Sequence, residues 1–190
     1  MLLNELKHRV KNNMQLLQSL LSSAARDAES QEATAVLREA GDRLSAMAAA
    51  QRVLYSSADT TRFQADAFLD AVCGAIRHSV PADVRIESRG TPGELSNEVA
   101  MPLALILNEL LTNAVKHGVN GGTGTIRASL TREDESFVLA VEDEGAGFDL
   151  EAVRTNASGL RLVEGLSRQL RGRFEVSRDP VSRCTVRFAS

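Results

Sequence analysis

The residues able to do chemistry in this chain fall in four short segments. His8 lies within Leu6-Lys7-His8-Arg9-Val10-Lys11-Asn12, and an imidazole is a nitrogen nucleophile largely uncharged near neutral pH. Glu109 and Asn113 stand four apart in a helical pattern from Leu103 to Gly118, so both face one side of that helix. Asp143-Glu144-Gly145-Ala146-Gly147 follows a strand pattern directly; its first carboxylate stands at the strand end, and the glycines let the backbone turn tightly against a ligand. Ser158-Gly159-Leu160 opens another helix, where free N–H groups and the positive end of the dipole can receive phosphate oxygens. Asn113 can offer the neutral oxygen that Mg²⁺ accepts while bridging phosphates. Together the segments predict a phosphate donor site and a separate acceptor. The chain contains no G-x-x-x-x-G-K-[ST] segment, which excludes a Walker-type phosphate loop.

These segments need elements to position them, and the organisation changes near residue 60. Leu3, Leu6, Val10, Leu17, Leu20 and Ala24 follow helical spacing with one apolar seam, interrupted by Asn13. A second helix is expected from Ser30, its N-cap, to Leu54, with a seam of Ala33, Leu37, Ala40, Leu44, Met47 and Leu54. Two helices of this length cannot enclose their seams alone, so pairing with a second copy into a four-helix bundle is the expected solution. Residues 1–58 thus read as a dimerising helical hairpin, and residues 61–190 as a mixed domain of helices layered on one sheet, giving an α+β chain.

In the mixed part, Ala65 to Ser79 reads as helix and Val84 to Ser88 as strand, and Pro102 is expected in the first turn of the helix that carries Glu109. Thr125 to Thr131 and Phe137 to Glu142 predict an antiparallel hairpin across a charged turn, Arg132 to Glu135. A helix from Gly159 to Leu170 follows, then strands from Arg173 to Ser177 and from Thr185 to Phe188, separated by a turn at Asp179-Pro180.

Composition narrows the partners. At 190 residues, 43% hydrophobic and 25% charged, the chain can bury a real core. A net charge of −3 with no dense Lys/Arg run excludes the broad basic field that nucleic-acid binding requires. No apolar run approaches the roughly 18 residues of a membrane span, and no signal-peptide pattern opens the chain, so a cytoplasmic location is expected. Cys73 and Cys184 lack metal-ligand spacing and read as structural thiols.

Glu109-x-x-x-Asn113, Asp143-x-Gly145-x-Gly147 and the Ser158-Gly159-Leu160 helix start resemble the ATP-binding motifs shared by sensor histidine kinases, gyrase-type ATPases and related chaperones. His8-Arg9-Val10-Lys11-Asn12 resembles the H-R-x-x-N phosphoacceptor box of the HWE-like/HRxxN subgroup of bacterial two-component histidine kinases. Asn108 stands where strict HWE kinases carry histidine, and the chain has no tryptophan, which favours the HRxxN type. Arg9 occupies the position after the histidine where the commoner kinases have an acidic residue.

The resemblance covers the whole chain and implies an N-terminal phosphotransfer hairpin followed by an α/β sandwich that binds ATP and Mg²⁺. It implies autophosphorylation of His8 with Glu109 as proton acceptor, Mg²⁺ on Asn113 and the adenine amino group on Asp143, supported by Thr185. Asn108, Lys116 and His117 are expected to border the phosphates, and Arg9, Lys11 and Asn12 to flank the transferred group. The implied partners are the receiver domain of a response regulator, a second copy, and a sensor module acting in trans or removed from the chain. A short lid is expected between Phe148 and Ser158. The alternatives are a non-enzymatic histidine phosphotransferase of the same fold and an ATPase clamp.

Overall fold

The computed structural model describes residues 2–56, 61–119, 123–145, 158–178 and 181–189. The chain opens with two long helices, α1 (Leu2–Asp27) and α2 (Gln31–Ser56), packed on each other as a hairpin. Ser30 caps α2 as expected, its Oγ accepting from the Ala33 amide at 3.1 Å. Across the hairpin, Gln18 Nε2 donates to Ser45 Oγ at 2.9 Å, which pins residue 18 level with residue 45.

The seam of α1 differs from the expected one. Val10, Met14, Gln18, Leu21 and Ala25 are the half-buried row, whereas Leu17 and Leu20 remain 50% and 56% exposed, as do Leu16 on α1 and Val36 on α2. The helix carries two apolar stripes, and three-four spacing alone cannot tell which one meets α2. Helix α2 is also two-sided: Ala46, Ala49 and Ala50 are fully buried because that face lies on α3 and α4 of the second part.

The second part contains β1 (Arg62–Gln64), α3 (Ala65–Arg77), β2 (Val84–Gly90), β3 (Glu94–Ser96) and α4 (Asn97–Asn113), which runs into a π-helical turn, Ala114–Gly118. It continues with β4 (Gly124–Glu133), β5 (Ser136–Asp143), α5 (Ser158–Gln169), β6 (Arg173–Ser177) and β7 (Ser182–Ala189). Among the described residues the main sheet has the order β2-β4-β5-β7-β6, with β2 parallel to β4 and the remaining pairs antiparallel. Strands β1 and β3 form a separate antiparallel pair that the sequence pattern did not reveal. The expected β4–β5 hairpin is present, closed at Asp134 in the left-handed region (φ 53).

Strand alternation sorts the sheet into two faces. Ile126, Ala128 and Leu130 of β4, Phe137, Leu139 and Val141 of β5, and Cys184, Val186 and Phe188 of β7 are buried under α3, α4 and α5. The other face carries charge, including Glu87 with Arg127 and Glu142 with Arg183. Cys73 and Cys184 are free, buried thiols, as expected.

Helix α4 starts earlier than expected, at the Ser96 cap, so Pro102 falls inside the helix rather than in its first turn. An interior proline costs about 3 kcal/mol. Burial of Leu103, Ile106, Leu107, Leu110 and Leu111 contributes about 2 kcal/mol per side chain, which outweighs it. The stretch Asn97–Gly118 is also the one described segment long and apolar enough to cross a membrane, and here it is the central core helix. The glycine pair Gly121-Gly122, the Asp179-Pro180 turn and all of the expected lid except its last residue, Ser158, lie outside the described residues.

Candidate active site

Glu109 and Asn113 project one turn apart from α4, as their spacing requires. Glu109 is nearly buried, its side chain 5% exposed. Its Oε1 accepts from Asn108 Nδ2 at 3.2 Å, and Asn108 is itself buried. Helix α5 begins against the same group: a Cβ on Gly159 would lie 2.5 Å from Glu109 Oε2, so any larger residue there would displace that carboxylate. The N-terminus of α5 and the candidate base are therefore neighbours, and Leu160 in the first turn of α5 is buried. Ser158 is the first residue of α5, and Gly147 lies outside the described residues.

A pocket opens beside this point, lined by Asn113, His117, Gly118, Asp143, Ser182 and Cys184 with apolar walls from Leu110, Ala114 and Val141. Asp143 ends β5 and points into it. Its Oδ1 accepts from the Gly145 amide at 2.9 Å and its Oδ2 from Ser182 Oγ at 3.1 Å. Gly118 and Gly145 both press on that carboxylate; a Cβ on Gly118 would lie 2.2 Å from Asp143 Cγ, and one on Gly145 2.8 Å from Oδ1.

Thr185 does not join the site. It pairs with Ala140 on the opposite face of the sheet, and Ser182, which pairs with Asp143, makes the supporting contact. Alternation could have shown this: with Val186 and Phe188 facing inward, Ser182 and Cys184 share their side and Thr185 cannot. Burial pushes the Cys184 thiol up to about 12, helped by the nearby Asp143 charge, so it lines the pocket as an uncharged wall.

The donor set fits a magnesium nucleotide. Among the described residues no group of three or more His, Cys, Asp or Glu side chains forms a protein-only metal cage, so Asn113 and phosphate oxygens together would have to hold the ion. Asn108 Oδ1 is buried without a hydrogen-bond partner, an acceptor that a cation's water would satisfy. The glycine-flanked Asp143 and its apolar walls suit an aromatic base bearing an amino donor.

The two parts of the chain meet through charges that spacing could not reveal. Arg43 of α2 reaches across to Glu109, with Nε to Oε1 at 2.8 Å and Nη2 to Oε2 at 3.1 Å, and its Nη2 also pairs with Glu39. That hydrogen bond to Glu109 holds the guanidinium even more firmly protonated. Asp42 of the hairpin lies near Ser79 and Lys116 of the second part, and His117 lines the pocket. Burial raises the Asp42 carboxyl above its ordinary value.

His8 is exposed on α1, its Nδ1 3.1 Å from the Asn12 amide. Arg9 pairs with Glu5 one turn back, and Lys11 is exposed. The structure does not bring His8 to Glu109. From the level pair of residues 18 and 45, Arg43 stands beside residue 20, twelve helical residues from His8, or about 18 Å along the hairpin.

Residues 5–80 match the family model described as histidine kinase, and residues 98–190 match the one described as histidine kinase-, DNA gyrase B-, and HSP90-like ATPase. The chain belongs to the histidine kinases. This kinase core is 32% identical over 174 residues to the sensor histidine kinase PdtaS of Mycobacterium tuberculosis, covering 86% of this chain and 34% of that protein. It is 28% identical over 177 residues to blue-light-activated histidine kinase 1 of Erythrobacter litoralis, covering 90% of this chain and 48% of that protein. The core thus spans between a third and a half of these relatives. In fold it is similar to a solved blue-light activated histidine kinase of Erythrobacter litoralis, with a TM-score of 0.74 at 17% identity over 100% of this chain and 60% of the other. The isolated kinase domain from the same organism matches with a TM-score of 0.69 at 15% identity, covering 94% of each chain. The expected order of a helical part followed by an α/β ATP-binding domain is the order observed.

Proposed function

We propose that this kinase core phosphorylates His8 from Mg-ATP and passes the phosphoryl group to an aspartate in the receiver domain of a response regulator. The observation that carries the reading is that α4 sets Glu109 against the start of α5 and, one turn on, Asn113 in the pocket that Asp143 also lines, on a domain joined to an exposed histidine. Asp143 accepts from the adenine amino group and is itself fixed by Ser182 and the Gly145 amide. Asn113 would hold Mg²⁺, which when bound offsets phosphate charge. The start of α5 receives phosphate oxygens beside Glu109.

His8 supplies the nucleophile. With the Asn12 amide turned so that its oxygen accepts from Nδ1–H, Nε2 carries the lone pair. Nε2 bonds the γ-phosphorus, the bond to the β–γ bridging oxygen breaks, ADP leaves, and Glu109 takes the Nδ1 proton. Such a transfer depends chiefly on alignment, so the domains must change relative position to close the 18 Å separation, roughly twelve residues of rise.

Leu16, Leu17 and Leu20 form an exposed apolar stripe on α1, which supports a homodimer through a four-helix bundle. A sensor module in cis or in trans and a cytoplasmic setting complete the reading. The test is incubation with γ-labelled ATP and magnesium: acid-labile, base-stable label appears in the wild-type chain and is lost in His8→Ala and in Asn113→Ala. Label persisting in His8→Ala refutes the acceptor. Nucleotide binding without phosphohistidine favours the ATPase clamp, and absence of nucleotide binding favours the phosphotransferase.

A further inference from the structure

The arrangement of α2 on the ATP domain leaves Glu109 unable to act. Its Oε1 is taken by Arg43 Nε and Asn108 Nδ2, its Oε2 by Arg43 Nη2, and Gly159 closes the remaining side. No approach is left for an imidazole, and the nearest level of the hairpin is residue 20 rather than residue 8. A second copy related by a two-fold axis along the bundle would carry its histidine at the same level as His8, so it would not shorten the axial distance.

The apolar part of the contact on α2 is Ala46, Ala49 and Ala50, with Val53 and Leu54 packed against the same core, and it is non-directional. Asp42 adds a half-buried carboxyl, whose charged form partial burial opposes. The directional, two-point contact is the guanidinium fork on Glu109, with Glu39 holding the fork from its own helix.

We infer that Arg43 is a latch: it parks the ATP domain on the hairpin about 18 Å from the acceptor, with the catalytic carboxylate occupied. The inference rests on the roles proposed for His8 and Glu109. Opening the latch exposes Glu109 and frees the domain to travel toward His8 in one event, so a signal that displaces Arg43 switches both. Arg43 touches no reacting atom; it acts through Glu109 as a positioning residue.

The test compares the wild-type chain with Arg43→Gln, Arg43→Lys and Glu39→Gln by amide hydrogen exchange over residues 39–50 and by initial labelling rate at saturating Mg-ATP. Arg43→Gln is expected to speed exchange and raise labelling roughly tenfold, as loss of a bidentate charged pair across an interface implies. Arg43→Lys, which keeps the charge and loses the fork, falls between. Glu39→Gln, which leaves both cores untouched, moves both readouts in the same direction by less. Unchanged exchange in Arg43→Gln overturns the latch, as does a labelling rate that falls while nucleotide affinity holds. Faster exchange with no label in any chain, wild type included, supports the latch and places the failure in the kinase reading.

Discussion

Substituting Gly118 by alanine should cripple nucleotide binding by displacing the Asp143 carboxylate while leaving that residue in place. The new Cβ would lie 2.2 Å from Asp143 Cγ and 2.4 Å from Oδ1, where ordinary contacts begin near 3.4 Å. Gly118 is buried at the end of the π-helical turn against β5, so the carboxylate must yield by about 1 Å. A shift of that size breaks at least one of its hydrogen bonds, to the Gly145 amide at 2.9 Å or to Ser182 Oγ at 3.1 Å, and misaligns the carboxylate from adenine. At about 1.5–3 kcal/mol for each hydrogen bond to a charged group, the loss is about 3 kcal/mol, or roughly a hundredfold in Kd.

Titration calorimetry with ATP and magnesium measures this, and a double-mutant cycle with Asp143→Ala isolates the cause. In the Asp143→Ala background, affinity already lost at that carboxylate cannot be lost again, so Gly118→Ala should cost less than about 0.5 kcal/mol more. Equal losses in both backgrounds, or none in the wild type, would refute the placement of Asp143 as the adenine acceptor.

Other consequences are as direct. Leu17→Glu with Leu20→Glu removes two apolar side chains per copy, each contributing about 1.5–3 kcal/mol once buried, so sedimentation should show a monomer where the parent chain dimerises; a dimer surviving both changes rules out that stripe. Burial raises both cysteine thiols to about 12, so they stay protonated and inert to iodoacetamide at about pH 8 until the chain unfolds; alkylation of the native chain at the unfolded rate contradicts their placement. Asp42 has a raised carboxyl facing Ser79, Lys116, Glu39 and Arg38, so its contribution to stability is full below its ordinary 3.8 and is lost as pH rises through the raised value. Asp42→Asn should therefore gain stability relative to wild type, by urea midpoint, as pH rises across that window; a constant difference argues against the desolvation of Asp42.

How much of this was legible without coordinates depends on the reach of each signal. Periodicity located the hairpin helices, the β4–β5 hairpin and α5 to within a few residues because apolar spacing reports local geometry. It missed β1 and β3, three residues each, too short to show alternation. It placed Pro102 one turn too early because burial of α4, rather than proline preference, sets where that helix starts. Glu109 and Asn113 could be read from four-residue spacing, and Asp143 from the glycines after it. Residue type does not separate Thr185 from Ser182; the strand register does, and it pairs Ser182 with Asp143.

By itself the sequence determined the parts: a histidine on one helix, a carboxylate and an amide sharing a face of another, and a strand-end aspartate with glycines beside it. Each is a relation between residues within a few positions, where backbone geometry alone dictates which side chains meet. Only the tertiary structure decided that Arg43, 66 residues away in sequence, holds Glu109, and that His8 lies far along the hairpin from it. Those relations depend on how two packed bodies register, and helix spacing carries no record of the level at which one face settles on another.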